Sequence, residues 1–355
     1  MGKYKLINNV LGWIVFAIAS TVYLMTMEPT ASFWDCGEFI SSAYKLEVGH
    51  PPGAPFFMLT ANLFTQLASD PSTVAKMVNT MSALFSGLTI LFLFWSITHL
   101  ARKIMVKDGE EASLGQMITV MGSGLVGALA YTFSDTFWFS AVEGEVYAYS
   151  SLFTAVVFWL ILKWEAVADK PHADRWIVLI AYLMGLSIGV HLLNLLCIPA
   201  IVLVYYYKKF PNPTMKGTLV ALLASFAIVA LMMYGVVQGL VEVCGYFELL
   251  FVNVLGMPYN SGVFAYVIIV AGVLIWSIWE TMRDEIHPTR MKIAFILSVV
   301  LIGIPFIGSG YVLAVILTAA LSLYLFKSKK VDIKTLNTIL VCLMAVSYTH
   351  LRAHE

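Results

Sequence analysis

Ionisable side chains gather in the stretch Thr30–Phe57, between the first two long apolar segments of the sequence. Asp35 and Glu38 are three residues apart, so a helix here would place both carboxylates on one face. Ionisable groups kept at membrane depth are costly and are usually functional. Asp35 could act as a general base that takes the proton of an attacking hydroxyl. The alternatives are a helix N-cap or a charge that faces water, and Glu38 could orient a substrate or belong to a solvated face.

His50 stands directly before Pro51-Pro52-Gly53, where two prolines interrupt the helical pattern. The prolines fix the local backbone, so the imidazole would point in a defined direction. It could contact a phosphate through a hydrogen bond or a charge, or it could be a turn histidine with no ligand.

A second acidic group lies in the segment FWFSAVEGEVYAYSS. Glu143 and Glu145 flank Gly144 at the start of a predicted helix, where a carboxylate favourably meets the helix dipole. The functional alternative is recognition of sugar hydroxyls by these two acids and Tyr147, with Trp138 offering a stacking face.

A lone histidine, His191, lies in GLSIGVHLLN between two apolar segments. It is either packed within a helix bundle or a substrate ligand on the same side as Asp35. A metal site built from His50, His191 and the carboxylates has no supporting ligand spacing, so we predict no metal and no cofactor.

The composition indicates a protein surrounded by lipid. Hydrophobic residues make up 60% of the 355 residues, charged residues 12%, and the mean hydropathy is +0.86. A soluble domain is about half apolar and about a quarter charged. The 21 basic and 21 acidic side chains cancel, so nothing indicates a nucleic-acid partner.

A membrane-spanning helix needs about 20 apolar residues, and the sequence predicts about 10–11 such helices. The predicted spans are Ile7–Met27, Val74–Leu100, Gln116–Phe133, Val146–Trp164, Arg175–Val190, Leu192–Tyr207, Gly217–Leu240, Gly262–Thr281, Met291–Ile307 and Tyr311–Phe326, with another beginning near Leu336. Two shorter stretches in the first outer loop, Phe33–Tyr44 and Ala54–Leu67, are predicted as interfacial helices.

Basic residues predict the orientation, because Lys and Arg in short loops stay cytoplasmic. With a cytoplasmic N-terminus, the outer side receives only Lys45 and Lys76 of the 21 basic residues, apart from Arg352 in the C-terminal tail. The acidic loops described above then face away from the cytoplasm.

The last ten residues, Val346–Glu355, resemble the translation of a transposase sequencing adapter. We therefore treat 1–345 as one transmembrane domain and expect the natural chain to continue beyond Ala345.

Three segments together resemble the GT-C glycosyltransferases, and within them a bacterial family long labelled a domain of unknown function. They are MEPTASFWDCGEFISSAYKLEVGHPPGAPF, FWFSAVEGEVYAYSS and GLSIGVHLLN. An animal relative of that family is the O-mannosyltransferase of plexin and Met-receptor IPT domains. The resemblance covers most of Asn8 to about Leu250.

The resemblance implies an all-α polytopic membrane protein with a GT-C-like bundle. It implies an inverting glycosyltransferase that moves a sugar, mannose by analogy, from a polyprenyl-phosphate donor to a protein Ser/Thr hydroxyl. Asp35 matches the catalytic loop aspartate, and His50, Glu143, Glu145, Tyr147 and His191 match positions near the pocket. Glu38, three residues after Asp35, is added to the expected substrate-binding residues on its position alone. The expected location is the bacterial inner membrane with a periplasmic active site.

The sequence departs from the GT-C pattern in one respect. These enzymes commonly hold the donor phosphate with Arg or Lys, and the outer side here offers only Lys45, Lys76 and the two histidines. The rival hypotheses are a transporter or flippase of an anionic lipid or sugar, and a scaffold for another subunit. No internal symmetry of the kind found in many transporters is visible.

Overall fold

The computed structural model describes residues 2–51, 53–107, 109–173, 175–283, 285, 287–306, 311–328 and 332–341. Within these ranges the chain is helical and has no β-strand. The predicted fold class, an all-α polytopic membrane protein, is confirmed. Pro52, the adapter-like tail Val346–Glu355 and the far end of the predicted eleventh span lie outside the described residues, although 333–341 are helical.

The described residues divide into two compact units. The first comprises the chain up to Ala168 together with Ser187–Cys197, and the second comprises Asp169–Leu186 and the described residues from Ile198 onward. The helices up to Glu165 are α1 (Gly2–Thr26), α2 (Cys36–Lys45), α3 (Pro55–Thr65), α4 (Val74–Met105), α5 (Leu114–Thr132), α6 (Asp135–Ala141) and α7 (Val146–Glu165). The later ones are α8 (Arg175–Ile188), α9 (Ile198–Lys209), α10 (Met215–Ala230), α11 (Gln238–Leu249), α12 (Ser261–Met282), α13 (Pro288–Leu301) and α14 (Tyr311–Lys327).

Seven helical stretches among the described residues are long and apolar enough to cross a bilayer. They are Gly2–Thr26, Pro71–Met105, Leu114–Thr132, Val146–Glu165, Leu192–Lys209, Met215–Val254 and Ser261–Met282. Three other predicted spans form shorter helices, α8 and α13 of 14 residues and α14 of 17. Helix α13 ends early because Gly303 adopts a left-handed conformation, φ +82°, directly after its C-cap.

One predicted boundary is wrong. The span expected to end at Leu240 continues as a helix to Val254, through π-helical segments at Leu231–Val237 and Leu250–Val254. The helix has no proline to stop it before Pro258, and Gly256 turns the chain at φ +67°. The stretch between the predicted spans Gly217–Leu240 and Gly262–Thr281 is therefore mostly helix.

Helix α4 is the centre of the first unit and packs against α1, α5 and α7. Its buried residues Ala83, Ile90 and Phe94 meet Val15 and Ala19 of α1 in one apolar core. Close approach of the two helices requires Gly87, because a β-carbon there would collide with the side chain of Ser20.

Both stretches predicted as interfacial form helices, α2 and α3. They pack against each other and against α4. Asn62 of α3 donates its side-chain amide to the carbonyl of Ala43 at 2.9 Å, which joins the two short helices. Helix α3 is also fixed to the turn before His191, because the backbone N–H of Phe56 donates to the carbonyl of Gly189 at 2.7 Å.

Candidate active site

Asp35 occupies the N-cap position of α2, but its side chain makes no capping hydrogen bond. The residue itself is helical, with φ −81° and ψ −5°, and only its backbone carbonyl serves the helix, accepting from Phe39 N–H at 2.9 Å. The carboxylate is exposed and lines a cavity of about 240 Å³. The Asp35 carboxylate therefore does not cap the helix, which was one of the alternatives to a functional role.

Nine described residues line that cavity, and the two acidic segments of the sequence meet in it. They are Phe33, Trp34, Asp35, Cys36, Phe139, Ser140, Glu143, Glu145 and Tyr147. Four of the predicted site residues, Asp35, Glu143, Glu145 and Tyr147, thus share one cavity, although Asp35 is more than a hundred residues from the other three in sequence.

A buried asparagine of α4 holds the two segments together. Asn79 is 0% exposed and donates its side-chain amide to the carbonyls of Glu28 at 2.6 Å and Thr30 at 2.9 Å. The backbone N–H of Glu28 in turn donates to the carbonyl of Val142 at 3.0 Å. The chain just before Asp35 and the chain just before Glu143 are therefore bound to the same point of α4.

Gly144 allows the segment that carries Glu143 and Glu145 to pack closely against Asn79. A β-carbon on Gly144 would fall 2.8 Å from Asn79 Oδ1, 3.0 Å from Val78 and 3.1 Å from Ile40. Of the two neighbouring acids, Glu145 is the N-cap residue of α7, and its side chain makes no capping hydrogen bond. The absence of a β-carbon explains why a glycine separates the two acids.

The environment of Glu143 differs from that of an exposed acid. Its side chain is buried and accepts hydrogen bonds from Ser32 and Cys36. Burial raises the pKa of Glu143, and these two hydrogen bonds oppose the rise. Burial also raises the pKa of the Cys36 thiol to about 12, with the charges of Glu143 and Glu145 adding to it. Cys36 is therefore a protonated hydrogen-bond donor, and its thiol is too weakly acidic to act as a nucleophile.

Glu145 titrates near neutrality. Burial raises the pKa of this carboxyl to about 7, and the negative charges of Glu143 and Asp35 add to the rise, whereas His50 lowers it. Near pH 7 the cavity therefore holds a carboxyl group that can either donate or accept a proton. A group poised in this way suits proton transfer or the recognition of hydroxyls.

Glu38 and His50 form a pair beside Asp35. His50 donates its backbone N–H to Glu38 Oε1 at 2.5 Å, and its ring Nδ1 lies 3.1 Å from Glu38 Oε2. The hydrogen bonds from His50 lower the pKa of Glu38. Asp35, Glu38 and His50 each offer one atom that could bind a metal ion, and these three atoms lie within 4.8 Å of one another. This set could hold a divalent cation, but the hydrogen bonds account for the Glu38–His50 pair without one.

His191 lies beside Tyr147 at the edge of the site, with 5.4 Å between the ring centroids. Its Nδ1 accepts the backbone N–H of Leu193 at 3.1 Å, so a neutral ring carries its proton on Nε2. Burial lowers the pKa of His191, which keeps the ring neutral. His191 can therefore offer a hydrogen bond, and it brings no positive charge.

Lys45 and Lys76, the two lysines predicted to lie on the outer side, are not among the residues that line the cavity. Lys45 is 4.0 Å from Glu47, with both side chains well exposed. Lys76 is exposed on the first turn of α4. Neither residue is among those that line the cavity, and none of the described lining residues is Lys or Arg. The predicted contact of Lys45 and Lys76 with a phosphate gains no support from this placement.

Two tryptophans near the site, Trp138 and Trp34, have different surroundings. Trp138 donates its indole N–H to Thr26 Oγ1 at 2.9 Å and packs against Tyr23, so it fastens α6 to α1. Trp34 lines the cavity instead and is 91% exposed, in a left-handed conformation with φ +61°. Sequence reasoning also missed Asn79, although a lone asparagine in an apolar span was a usable signal.

Residues 35–214 match the family model described as the N-terminal domain of protein O-mannosyl-transferase TMEM260. The protein O-mannosyl-transferase TMEM260 of Mus musculus is 28% identical over 174 residues, which is 49% of this chain and 22% of that protein. The corresponding Dictyostelium discoideum protein is 25% identical over 187 residues, 51% of this chain and 21% of its own length. The matched region thus spans about a fifth of each curated relative. No solved structure matches the chain.

Proposed function

Because this chain belongs to the protein O-mannosyl-transferase TMEM260 N-terminal domain family, we propose that it is a membrane glycosyltransferase of the GT-C type that acts in protein O-mannosylation. The donor is a polyprenyl-phosphate sugar, mannose by analogy with the relatives, and the acceptor is a protein Ser or Thr hydroxyl. The observation that carries this proposal is the shared cavity of Asp35, Glu143, Glu145 and Tyr147 beside exposed aromatic rings.

In the proposed reaction the acceptor hydroxyl oxygen attacks the anomeric carbon of the donor. The bond from that carbon to the phosphate oxygen breaks, and polyprenyl phosphate leaves with the electron pair. Asp35 takes the hydroxyl proton, so the single displacement inverts the anomeric centre. A positioned base of this kind contributes ~10²–10⁴-fold to the rate. Asp35 suits the role because no helix-capping bond occupies its carboxylate.

The remaining side chains of the cavity hold the sugar. Glu143 and Glu145 accept and, for Glu145 near pH 7, donate hydrogen bonds to sugar hydroxyls. Tyr147 adds a phenol, and Trp34 offers a flat apolar face for the ring. Glu145 is the second candidate for the base, because its pKa of about 7 lies near the working pH.

The donor lipid requires an apolar channel within the bilayer. A second cavity of about 620 Å³ lies between α4, α5 and α7, and apolar side chains such as Leu93, Ile97 and Phe158 line it. Tyr131 at its wall stacks on Phe137 of α6, with 4.4 Å between the ring centroids, and α6 carries lining residues of the site. We place the prenyl chain there, and His50 as the first contact for the phosphate. By the distribution of basic residues, the site faces the periplasm.

The proposal is tested by sugar transfer. The full chain is reconstituted into liposomes with radiolabelled polyprenyl-phosphate mannose and an acceptor domain rich in exposed Ser and Thr. We expect label on the acceptor that is released by alkaline β-elimination, as an O-linked sugar is. Movement of the donor to the other leaflet, with no label on the acceptor, would instead support a flippase.

A further inference from the structure

A third cavity, of about 510 Å³, lies at the other end of the helices that carry the candidate site. Its lining residues come from α1, α4 and α7: Tyr4, Lys5, Asn8, Asn9, Trp13, Trp95, Thr98, His99, Arg102, Trp159 and Lys163. Along α4, His99 is 20 residues beyond Asn79, which at a rise of 1.5 Å per residue is roughly 30 Å away. The cavity is therefore separate from the candidate active site.

This cavity is positively charged. Lys5, Arg102 and Lys163 line it, and none of the described residues lining it is acidic. The nearby Glu165 is engaged elsewhere, since its Oε2 lies 2.7 Å from Lys103 Nζ. Glu111 lines a neighbouring cavity that also contains Arg102. Three cations around a partly enclosed space favour an anionic occupant.

Aromatic rings fix the direction of two of these charges. The Arg102 guanidinium lies over the ring of Tyr4, and the Lys163 ammonium lies over Trp159, each at 4.8 Å from the ring centroid. Such contacts stabilise a cation and hold it in place. The positive groups are therefore ordered before any ligand arrives.

Some polar side-chain atoms of the lining residues are buried and have no hydrogen-bond partner within the described protein. They include the indole nitrogen of Trp95, Nε2 of His99 and the amide oxygen of Asn8. An unpaired buried polar group costs roughly 1–3 kcal/mol. The indole nitrogen of Trp95 packs against Gly12 of α1, so these atoms are buried in the wall of the cavity.

We propose that this cavity binds the phosphate headgroup of an anionic membrane lipid from the leaflet opposite the candidate active site. A lipid is favoured over a soluble phosphate because one wall belongs to the spanning helix α1, where Trp13 is 52% exposed. Trp13 lines the same cavity as the three cations, so an acyl chain can run along α1 while its phosphate meets Lys5, Arg102 and Lys163. This site is independent of the sugar-transfer proposal.

The test compares charge-matched double variants of the full chain in nanodiscs of phosphatidylcholine with a small fraction of phosphatidic acid. Arg102→Gln/Lys163→Gln removes two cavity cations, and Lys107→Gln/Lys170→Gln removes two exposed lysines that do not line it. Bound lipid is counted by native mass spectrometry. A lysine or arginine near an anionic headgroup is worth about fivefold in affinity, so we expect about a 30-fold loss for the cavity variant. The control should stay within about twofold of the parent.

Two outcomes would overturn the proposal. One is equal retention of phosphatidic acid by the cavity variant and its control. The other is displacement of the lipid by millimolar inorganic phosphate, which would assign the cavity to a soluble anion. Should the double variant fail to fold, Lys5→Gln at the exposed start of α1 tests the same claim, with about a fivefold loss expected.

Discussion

Gly144 lies so close to Asn79 that a β-carbon on the glycine would fall 2.8 Å from the amide oxygen of the asparagine. The same amide holds the carbonyls of Glu28 and Thr30 through its nitrogen. One buried side chain therefore holds the first acidic segment by hydrogen bonds and packs against the second, which comes from a distant part of the sequence.

Gly144→Ala should reduce sugar transfer about tenfold or more, because the added methyl displaces the segment that carries Glu143 and Glu145 and small misplacements are costly in catalysis. The measurement is the initial rate of transfer, with far-ultraviolet circular dichroism to show that the helices remain. Gly37→Ala is the matched control, since a β-carbon at Gly37 meets nothing within 4 Å. Equal rates for both variants would contradict the role given to the Gly144–Asn79 contact.

The raised pKa of Glu145, about 7, predicts a pH dependence of stability. An unfolded glutamate titrates near ~4.3, so the folded protein holds this proton more tightly than the unfolded chain does. The resulting stabilisation is fully present below the unfolded pKa and is lost as pH rises through about 7.

We therefore expect the Tm of the parent protein, relative to that of Glu145→Gln, to fall as pH rises from about 4.5 to about 8. The measurement is thermal unfolding in detergent at several pH values. Glu47→Gln, an exposed acid of the first outer loop, is the control and should keep the dependence of the parent. A Glu145→Gln protein with an unchanged pH profile would show that this carboxyl is not the responsible group.

Trp34→Ala should raise the KM for one substrate about two- to tenfold, because it removes an aromatic surface of the size that contributes ~0.5–1.5 kcal/mol. Trp34→Phe should keep most of the affinity. Trp138→Phe is the contrasting variant, since it removes the hydrogen bond to Thr26 and should lower stability by about 1 kcal/mol while leaving KM near the parent value. Steady-state kinetics and thermal unfolding separate the two effects.

Much of the fold could be predicted because hydropathy is a local signal. The start of α7 at Val146, and the breaks around Asp35 and His50, follow from runs of apolar residues and from Pro and Gly positions. The extension of α11 past Leu240 was missed because charged residues suggested a loop. Those residues are compatible with a helix that has no proline before Pro258.

Of the residues that line the candidate site, three acids and Tyr147 could be predicted from the sequence. Ionisable residues are rare in this sequence, so Asp35, Glu143 and Glu145 stand out without a structure. Long-range pairings have no comparable signal. That Trp138 bonds to Thr26 while Trp34 lines the cavity depends on how α6 meets α1, which no local pattern encodes.

The base assignment is tested most directly by Asp35→Asn, which removes the proton acceptor and keeps the size of the side chain. Transfer from polyprenyl-phosphate mannose to an acceptor domain is measured for this variant, for Glu145→Gln and for the control Glu47→Gln, with donor binding measured in parallel. The account predicts that kcat of Asp35→Asn falls ~10²–10⁴-fold while donor binding is retained and Glu47→Gln keeps the parent rate. A well-folded Asp35→Asn protein that transfers sugar at the parent rate would contradict it.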